Sequence, residues 1–72
     1  MRPVRHAHPA GQLNNRELEI LRLLARGKTI AQVADALELS YKTIANTTTS
    51  LKQKLGAQTH ADLVRIAVEF DI

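Results

Sequence analysis

The chain has 72 residues, of which 44% are hydrophobic but only 3% aromatic, with no cysteine and a formal net charge of +3; this length leaves room for one compact domain and excludes a second. Without cysteine there is no disulfide framework or thiolate metal site, and no apolar run approaches the roughly 18 residues of a membrane span, so we expect a soluble, cytoplasmic protein. A core restricted to Leu, Ile, Val and Ala favours an all-α fold.

Residues 1–12 hold both prolines and show no apolar period, which predicts a flexible linker or arm ahead of a folded domain at residues 13–72. The sequence then offers four helix starts. Each is a side-chain oxygen that can cap the first amides, followed three positions later by a side chain that can reach back. The four pairs are Asn14 with Glu17, Thr29 with Gln32, Ser40 with Thr43, and Thr59 with Asp62. The third pair is the weakest, because threonine substitutes poorly for Glu or Gln.

Apolar residues recur at helical spacing behind each cap. They predict four helices, at about residues 15–26, 30–37, 41–55 and 60–70, and glycines at positions 27 and 56 provide left-handed stops after the first and third. The expected core stripes are Leu18, Leu21, Leu24 and Ala25; Ile30, Val33, Ala34 and Leu37; Ile44, Thr48, Leu51 and Leu55; and Leu63, Ile66, Ala67 and Phe70. Thr48 is expected to bond back to the Ile44 carbonyl.

The connection between the second and third helices is the most informative feature of the sequence. Only Glu38, Leu39 and Ser40 separate the two apolar stripes, so the helices must cross sharply. A small residue, Ala34, allows the close approach, and Ile44 ten positions later locks the second helix against the first. This spacing predicts a helix-turn-helix, although another tight helical hairpin can share it.

The outward side of the third helix carries residue types that match base edges. At 100° per residue, the side opposite the core stripe holds Lys42, Asn46, Thr49 and Gln53, with Ala45 at its margin. Asn and Gln can pair with adenine, Lys can donate to guanine, and methyl groups can pack on thymine. We interpret this side as base-facing; a neutral polar surface is the alternative.

Positive charge surrounds this helix. No acidic residue occurs between Leu39 and Ala61, as an anionic partner requires. Lys28 and Thr29 precede the second helix and are expected to bind phosphate, as is Lys52 near the end of the third. Lys54 is assigned equally to a phosphate contact or to an ion pair with the first helix.

Other chemistry finds little support. His6 and His8 lie in the predicted arm without acidic neighbours, and with His60 they do not form a metal site, so no metal or cofactor is expected. No nucleophile, carboxylate pair or phosphate loop can be assembled, and we expect no enzyme. Val64 and Val68 form a second apolar stripe on the last helix, assigned equally to extra core and to a self-association face.

The sequence resembles the LuxR-type helix-turn-helix domain, also found at the C-terminus of NarL/FixJ response regulators. The matching residues are Leu13, Asn14, Arg16, Glu17, Glu19, Ile20, Leu21, Leu23, Leu24, Ala25, Gly27, Thr29, Val33, Ala34, Leu37, Leu39, Ser40, Thr43, Ile44, Lys54, Leu55 and Gly56. The resemblance implies a transcriptional regulator that binds double-stranded DNA as a homodimer, with the third helix in the major groove and the fourth as the dimer face. It also implies a receiver or sensory domain on the N-terminal side that is absent here, and leaves RNA polymerase as a further partner.

Carried over by position, the resemblance makes Ala45, Asn46 and Thr49 base-facing and makes Thr29, Thr43 and Lys54 contacts to the DNA backbone. Thr47 is also assigned to the phosphate contacts. The sequence departs from the family pattern at Ala45 and Thr47, where Lys and His are usual, and at residues 30 and 32, where Asn and Glu are usual. Two alternatives remain: a promoter-reading sigma-factor domain, which usually ends soon after the recognition helix, and a helical protein-interaction module that binds no nucleic acid.

Overall fold

A computed structural model describes residues 9–72, and within this range it contains four α-helices and no strand. The helices are α1 (Asn15–Ala25), α2 (Ile30–Leu37), α3 (Tyr41–Leu55) and α4 (His60–Glu69), preceded by a short 3-10 helix at Pro9–Gln12. The predicted all-α class and all four helices are therefore confirmed, and α1 and α4 each end one residue earlier than predicted. Of the predicted arm, residues 1–8 lie outside the described residues.

Each helix begins at the expected capping residue. Asn14 and Thr29 form complete capping boxes, in which the cap side chain accepts from the amide three residues on and the side chain there accepts from the cap amide. Ser40 accepts from the amide of Thr43 at 3.0 Å without a reciprocal bond to the backbone. The fourth box differs from the expectation, because Asp62 accepts from the amide of Gln58 at 3.3 Å and not from that of Thr59.

All four helices end in the same hydrogen-bond pattern, with a left-handed residue whose successor donates to a carbonyl five residues earlier. Gly27 and Gly56 have φ of 92° and 72°, as the sequence predicts. Glu38 and Asp71 occupy the corresponding positions after α2 and α4, with φ of 57° and 56°. In these two residues the left-handed backbone conformation costs about 1–2 kcal/mol, because they are not glycine.

The core is formed by aliphatic side chains from all four helices. The fully enclosed members are Ile20, Leu21, Leu24, Val33, Ala34, Ile44, Leu51, Leu63 and Ala67. α1 contacts each of the other helices, and α3 packs against α2, α1 and α4. This arrangement holds α3 on one side only, so its opposite side is free for a ligand.

The predicted stripe of α1 is wrong by one position. Leu18 does not join the core, whereas Ile20 is fully buried and Glu17 is 8% exposed. Glu17, Ile20, Leu21 and Leu24 share one side of α1 at i, i+3, i+4, i+7 spacing, and Glu17 at its end pairs with Lys54 of α3. The predicted stripe, which includes Leu18 and omits Ile20, is therefore rotated by one position around the helix.

The predicted stripe of α4 is wrong at its end. Phe70 is 37% exposed and Ile66 only half-buried, while Leu63 and Ala67 are enclosed. The chain turns back after Phe70, and the amide of Ile72 donates to the carbonyl of Ala67 at 2.8 Å. Ile72 packs against the core, whereas Phe70 is not among the side chains of the core cluster.

No helix among residues 9–72 is both long enough and apolar enough to cross a membrane.

Candidate nucleic-acid interface

The outward side of α3 is a continuous polar surface. Lys42, Asn46, Thr49 and Gln53 are all exposed, and Ala45 is half-buried at the margin. Ile44, Thr48 and Leu51 face the core on the opposite side. The structure therefore brings all five predicted base-facing residues onto one side of one helix, with side chains available to a partner.

Two threonines of α3 have different surroundings. Thr48 is 4% exposed and its hydroxyl donates to the carbonyl of Ile44 at 2.8 Å, which confirms the predicted back-bond. The exposed Thr49 makes the same type of bond to the carbonyl of Ala45 at 3.2 Å. Because that bond uses the Thr49 proton, Thr49 presents a methyl group and oxygen lone pairs to a partner, which suits a thymine methyl or a cytosine amine.

The first turn of α3 adds a hydroxyl cluster. The Ser40 hydroxyl donates to the Thr43 hydroxyl oxygen at 2.8 Å while accepting the Thr43 amide. This bond leaves the Thr43 proton free to point outward as a donor. Thr43 is exposed, so it can meet an anionic oxygen from the position that the resemblance assigns to it.

An open groove of about 850 Å³ adjoins the start of α3. Lys28 and Thr29 from the start of α2, Tyr41 from α3 and His60 from α4 lie on its wall. Lys28 and Thr29 were expected in a phosphate site. Tyr41 was not, because it flanks the core stripe on a helical wheel, yet it is 59% exposed. Its place in the first turn, directly after a cap residue, is the signal that the periodic pattern overlooked.

Lys54 forms an ion pair with α1. Its Nζ lies 2.8 Å and 3.0 Å from the two carboxylate oxygens of Glu17. The hydrogen bond from Lys54, followed by the bond from the Asn14 amide, lowers the pKa of Glu17 from its ordinary value although burial opposes the shift. Of the two assignments for Lys54, the structure shows the ion pair.

The remaining residues predicted to contact DNA differ in exposure. Lys28 and Lys42 are exposed, whereas Lys52 and Thr47 of α3 are half-buried. Within the described part of the chain, none of the three lysines has a carboxylate within 4.0 Å. Their charges are therefore not neutralised within the domain and remain available to phosphates.

The second stripe of α4 is not core. Val68 is 66% exposed and Val64 is half-buried at the edge of the groove. Ile72, which follows this stripe in the sequence, packs against the core. Of the two interpretations of this stripe, the structure leaves an exposed apolar side centred on Val68.

The histidines are not brought together with other ligands. His60 is exposed at the start of α4, and within residues 9–72 no three His, Cys, Asp or Glu side chains are placed to hold a metal ion. His6 and His8 lie outside the described residues.

Comparisons with known proteins agree on one family. Residues 11–67 match the family model described as "Bacterial regulatory proteins, luxR family". The match begins within the 3-10 helix and extends into α4.

Three curated relatives show how this segment occurs in longer proteins. The transcriptional activator protein ExaE of Pseudomonas putida is 42% identical over 57 residues, which are 79% of this chain and 27% of ExaE. The methanol utilization control regulatory protein MoxX of Paracoccus denitrificans is 46% identical over 55 residues, 76% of this chain and 25% of MoxX. The uncharacterized response regulatory protein YgeK of Escherichia coli (strain K12) is 38% identical over 61 residues, 85% of this chain and 42% of YgeK. The chain thus spans less than half of each relative.

Proposed function

The chain belongs to the luxR family of bacterial regulatory proteins and is a DNA-binding domain of that type; from this premise we propose that it reads a specific DNA sequence with α3 in the major groove. The observation that carries the proposal is the exposed polar side of α3, opposite a helix side that is fully buried. An α-helix fits the major groove of B-DNA, where each base pair shows a distinct set of donors and acceptors.

Within this geometry the side chains have distinct roles. Asn46 and Gln53 pair with adenine, Lys42 donates to guanine, and Ala45 and Thr49 contact methyl groups. Lys28, Thr29, Thr43, Thr47 and Lys52 bind phosphates and set the register of α3 on the duplex. Tyr41 and His60 line the same groove as Lys28 and extend this backbone contact. Lys54 acts through Glu17 on the position of α3 against α1.

Two copies bind together on a two-fold related site. The exposed Val68 and the half-buried Val64 of α4 supply an apolar stripe that a second copy covers. The helix α4, which follows α3, also favours this family over the sigma-factor alternative, because sigma-factor domains usually end soon after the recognition helix.

The longer relatives suggest a regulatory setting. ExaE and MoxX are named as an activator and a control protein, and YgeK as a response regulatory protein. We infer that the domain serves as the output end of a two-component regulator, controlled by a receiver or sensory domain and acting on transcription by RNA polymerase.

The test is selection of binding sites from a random duplex library, followed by mobility shift on the enriched sequence. The proposal predicts an enriched two-fold symmetric sequence, bound at least tenfold more tightly than unrelated DNA. Failure to enrich any sequence, with no shift at low salt, contradicts DNA binding and favours the protein-interaction module.

A further inference from the structure

A second groove lies on the side of the domain that the proposed DNA interface does not use. It is an open depression of about 320 Å³ between α1 and the end of α2, lined by Glu19, Arg22, Leu23, Arg26, Ala36 and Leu37. No lining residue belongs to α3 or α4. A ligand in this groove therefore leaves both the polar side of α3 and the Val68 stripe uncovered.

The floor of the groove is apolar and firmly held. Leu23 and Leu37 are half-buried and pack against the core from below, so each offers its outer surface to the groove. Ala36 beside them is exposed and too small to fill the space. Such a floor accepts an aliphatic side chain and removes it from water.

The rim carries charges that have no partner within the described residues. Arg22 in the last turn of α1 and Arg26 at its C-cap are exposed, lie four residues apart, and have no carboxylate within 4.0 Å. Glu19 is also exposed on the rim, with no cation at that distance. The groove thus presents one negative and two positive charges in chain order along α1.

The apolar floor and the arginine rim together favour the carboxylates of a protein as the partner. A guanidinium presents a fork of donors that matches a carboxylate or a phosphate with two bonds. The phosphate backbone of a duplex offers no aliphatic side chain for the floor formed by Leu23 and Leu37, and the groove shares no residue with α3. An amphipathic protein segment supplies both the aliphatic side chains and the carboxylates.

We propose that the groove between α1 and α2 docks an acidic amphipathic helix of a partner protein. Aliphatic residues of that helix cover Leu23 and Leu37, and carboxylates spaced by one turn pair with Arg22 and Arg26. Glu19 fixes the direction of the helix by favouring a basic residue at its other end. The domain can hold this partner while bound to DNA, so the proposal adds to the proposed function and does not depend on it.

The test uses the full 72-residue chain, labelled with ¹⁵N, and a synthetic helical peptide with leucines on one side and glutamates flanking them. We expect amide shifts to map to Leu23, Arg26 and Leu37. Binding should weaken at least tenfold in the variant that combines Arg22→Gln with Arg26→Gln. The matched control is Arg16→Gln, on the same helix but outside the groove, which should bind as the unmodified chain does.

Several results would overturn the proposal. They are a lack of peptide binding, equal binding of the peptide with lysines in place of the glutamates, shifts confined to α3 or α4, and full binding by the double variant. Circular dichroism verifies that the variants fold, as expected for exposed side chains. A loss of more than tenfold in DNA affinity in the double variant would identify a DNA duplex, and not a peptide, as the occupant of the groove. If the unmodified chain binds the peptide but does not bind DNA, only the proposed function is contradicted.

Discussion

Substitution of Asn46 distinguishes base-specific contacts from contacts that any DNA sequence can make. Its exposed amide lies at the centre of the polar side of α3 and is suited to two bonds with adenine. We expect Asn46→Ala to cost about 1–3 kcal/mol on the selected site and little on unrelated DNA. Mobility-shift titrations on both duplexes measure the difference, with Gln58→Ala, outside α3, as the control. Equal losses on both duplexes would give Asn46 a positioning role only.

Glu17 makes the stability of the domain depend on pH. Its pKa is lowered in the fold below the ordinary value near 4.5, chiefly by the hydrogen bond from Lys54. The unfolded chain therefore takes up the proton first as the pH falls. The contribution of the pair is complete above about pH 4.5 and disappears as the pH falls through the lowered pKa.

The matching variant is Glu17→Gln. At pH 7 we expect it to lower the free energy of unfolding by about 1 kcal/mol, a modest figure because Lys54 remains 41% exposed and screened by water. Urea unfolding at pH 7 and pH 3 measures the difference between the two chains, which should shrink at pH 3. A difference that stays constant or grows in acid would show that the charge of Glu17 contributes nothing.

Glu17 and Lys54 also mark a limit of prediction from the sequence. The sequence offered an ion pair with α1 as one of two assignments for Lys54, but not which acid would supply it. Glu17 had already been assigned to the capping box. In the structure its carboxylate accepts both the Asn14 amide and the Lys54 ammonium. Two roles for one side chain depend on tertiary distances, which spacing along the chain does not contain.

Glu38, in the turn between α2 and α3, has an unfavourable backbone conformation that a substitution can relieve. Glu38 holds a left-handed conformation, with φ of 57°, that glycine adopts without steric cost. We expect Glu38→Gly to raise the free energy of unfolding by about 0.5–1 kcal/mol. The counterpart is Gly56→Ala, where an added Cβ meets no atom within 4 Å, so only the backbone conformation, with φ of 72°, opposes it. Thermal unfolding of both variants measures the two effects: Glu38→Gly should unfold at a higher temperature than the unmodified chain, and Gly56→Ala at a lower one. A Glu38→Gly variant that unfolds at a lower temperature would contradict the backbone strain at this position.

The threonines of α3 lower its helical propensity, a cost that the proposed contact of Thr49 with DNA would explain. Threonine costs about 0.5 kcal/mol relative to alanine inside a helix, and Thr49 is exposed, where packing does not repay that cost. We expect Thr49→Ala to stabilise the domain by about that amount while weakening binding to the selected site. Urea unfolding and mobility shift on the same variant measure the two effects. A variant that is more stable and binds equally well would remove Thr49 from the interface.

Helix positions followed from the sequence more closely than the buried sides did. Caps and glycine stops are local signals, so α2 and α3 have their predicted bounds. Which side is buried is a tertiary property: Ile20 is fully buried although the predicted stripe omitted it, and Ile72 packs against the core because the chain turns back after α4. The exposed polar side of α3 was predictable because the opposite side of the helix follows the helical period without interruption.

The charge distribution of the domain predicts how binding responds to salt. If Lys28 and Lys52 each neutralise one phosphate, affinity should fall by about 1.8 log units per tenfold increase in salt for each bound copy. Lys28→Gln should reduce this slope by about 0.9 and weaken selected and unrelated DNA alike. Lys54→Gln, which removes a cation already paired with Glu17, should leave the slope unchanged. If the unmodified chain, Lys28→Gln and Lys54→Gln all show the same dependence of affinity on salt, Lys28 is excluded from the DNA interface.

Pairing of two copies depends on the apolar stripe of α4. Val68→Asp places a charge on a side chain that is 66% exposed in the single copy, so folding should be unaffected. We expect the variant to lose cooperative binding to the two-fold site, at least tenfold, and to keep its affinity for a half-site. Mobility shift on full and half sites separates these results. Full cooperativity in Val68→Asp would place the contact between copies elsewhere.

The absence of cysteine from the chain permits a direct measurement of which surface meets DNA. A single cysteine introduced by Asn46→Cys on α3, or by Arg22→Cys on the outer side of α1, can carry a photoactivated crosslinker. With the selected duplex bound, the account predicts crosslinks from position 46 to bases that face the major groove, and none from position 22. Crosslinks from position 22 with none from position 46 would contradict it.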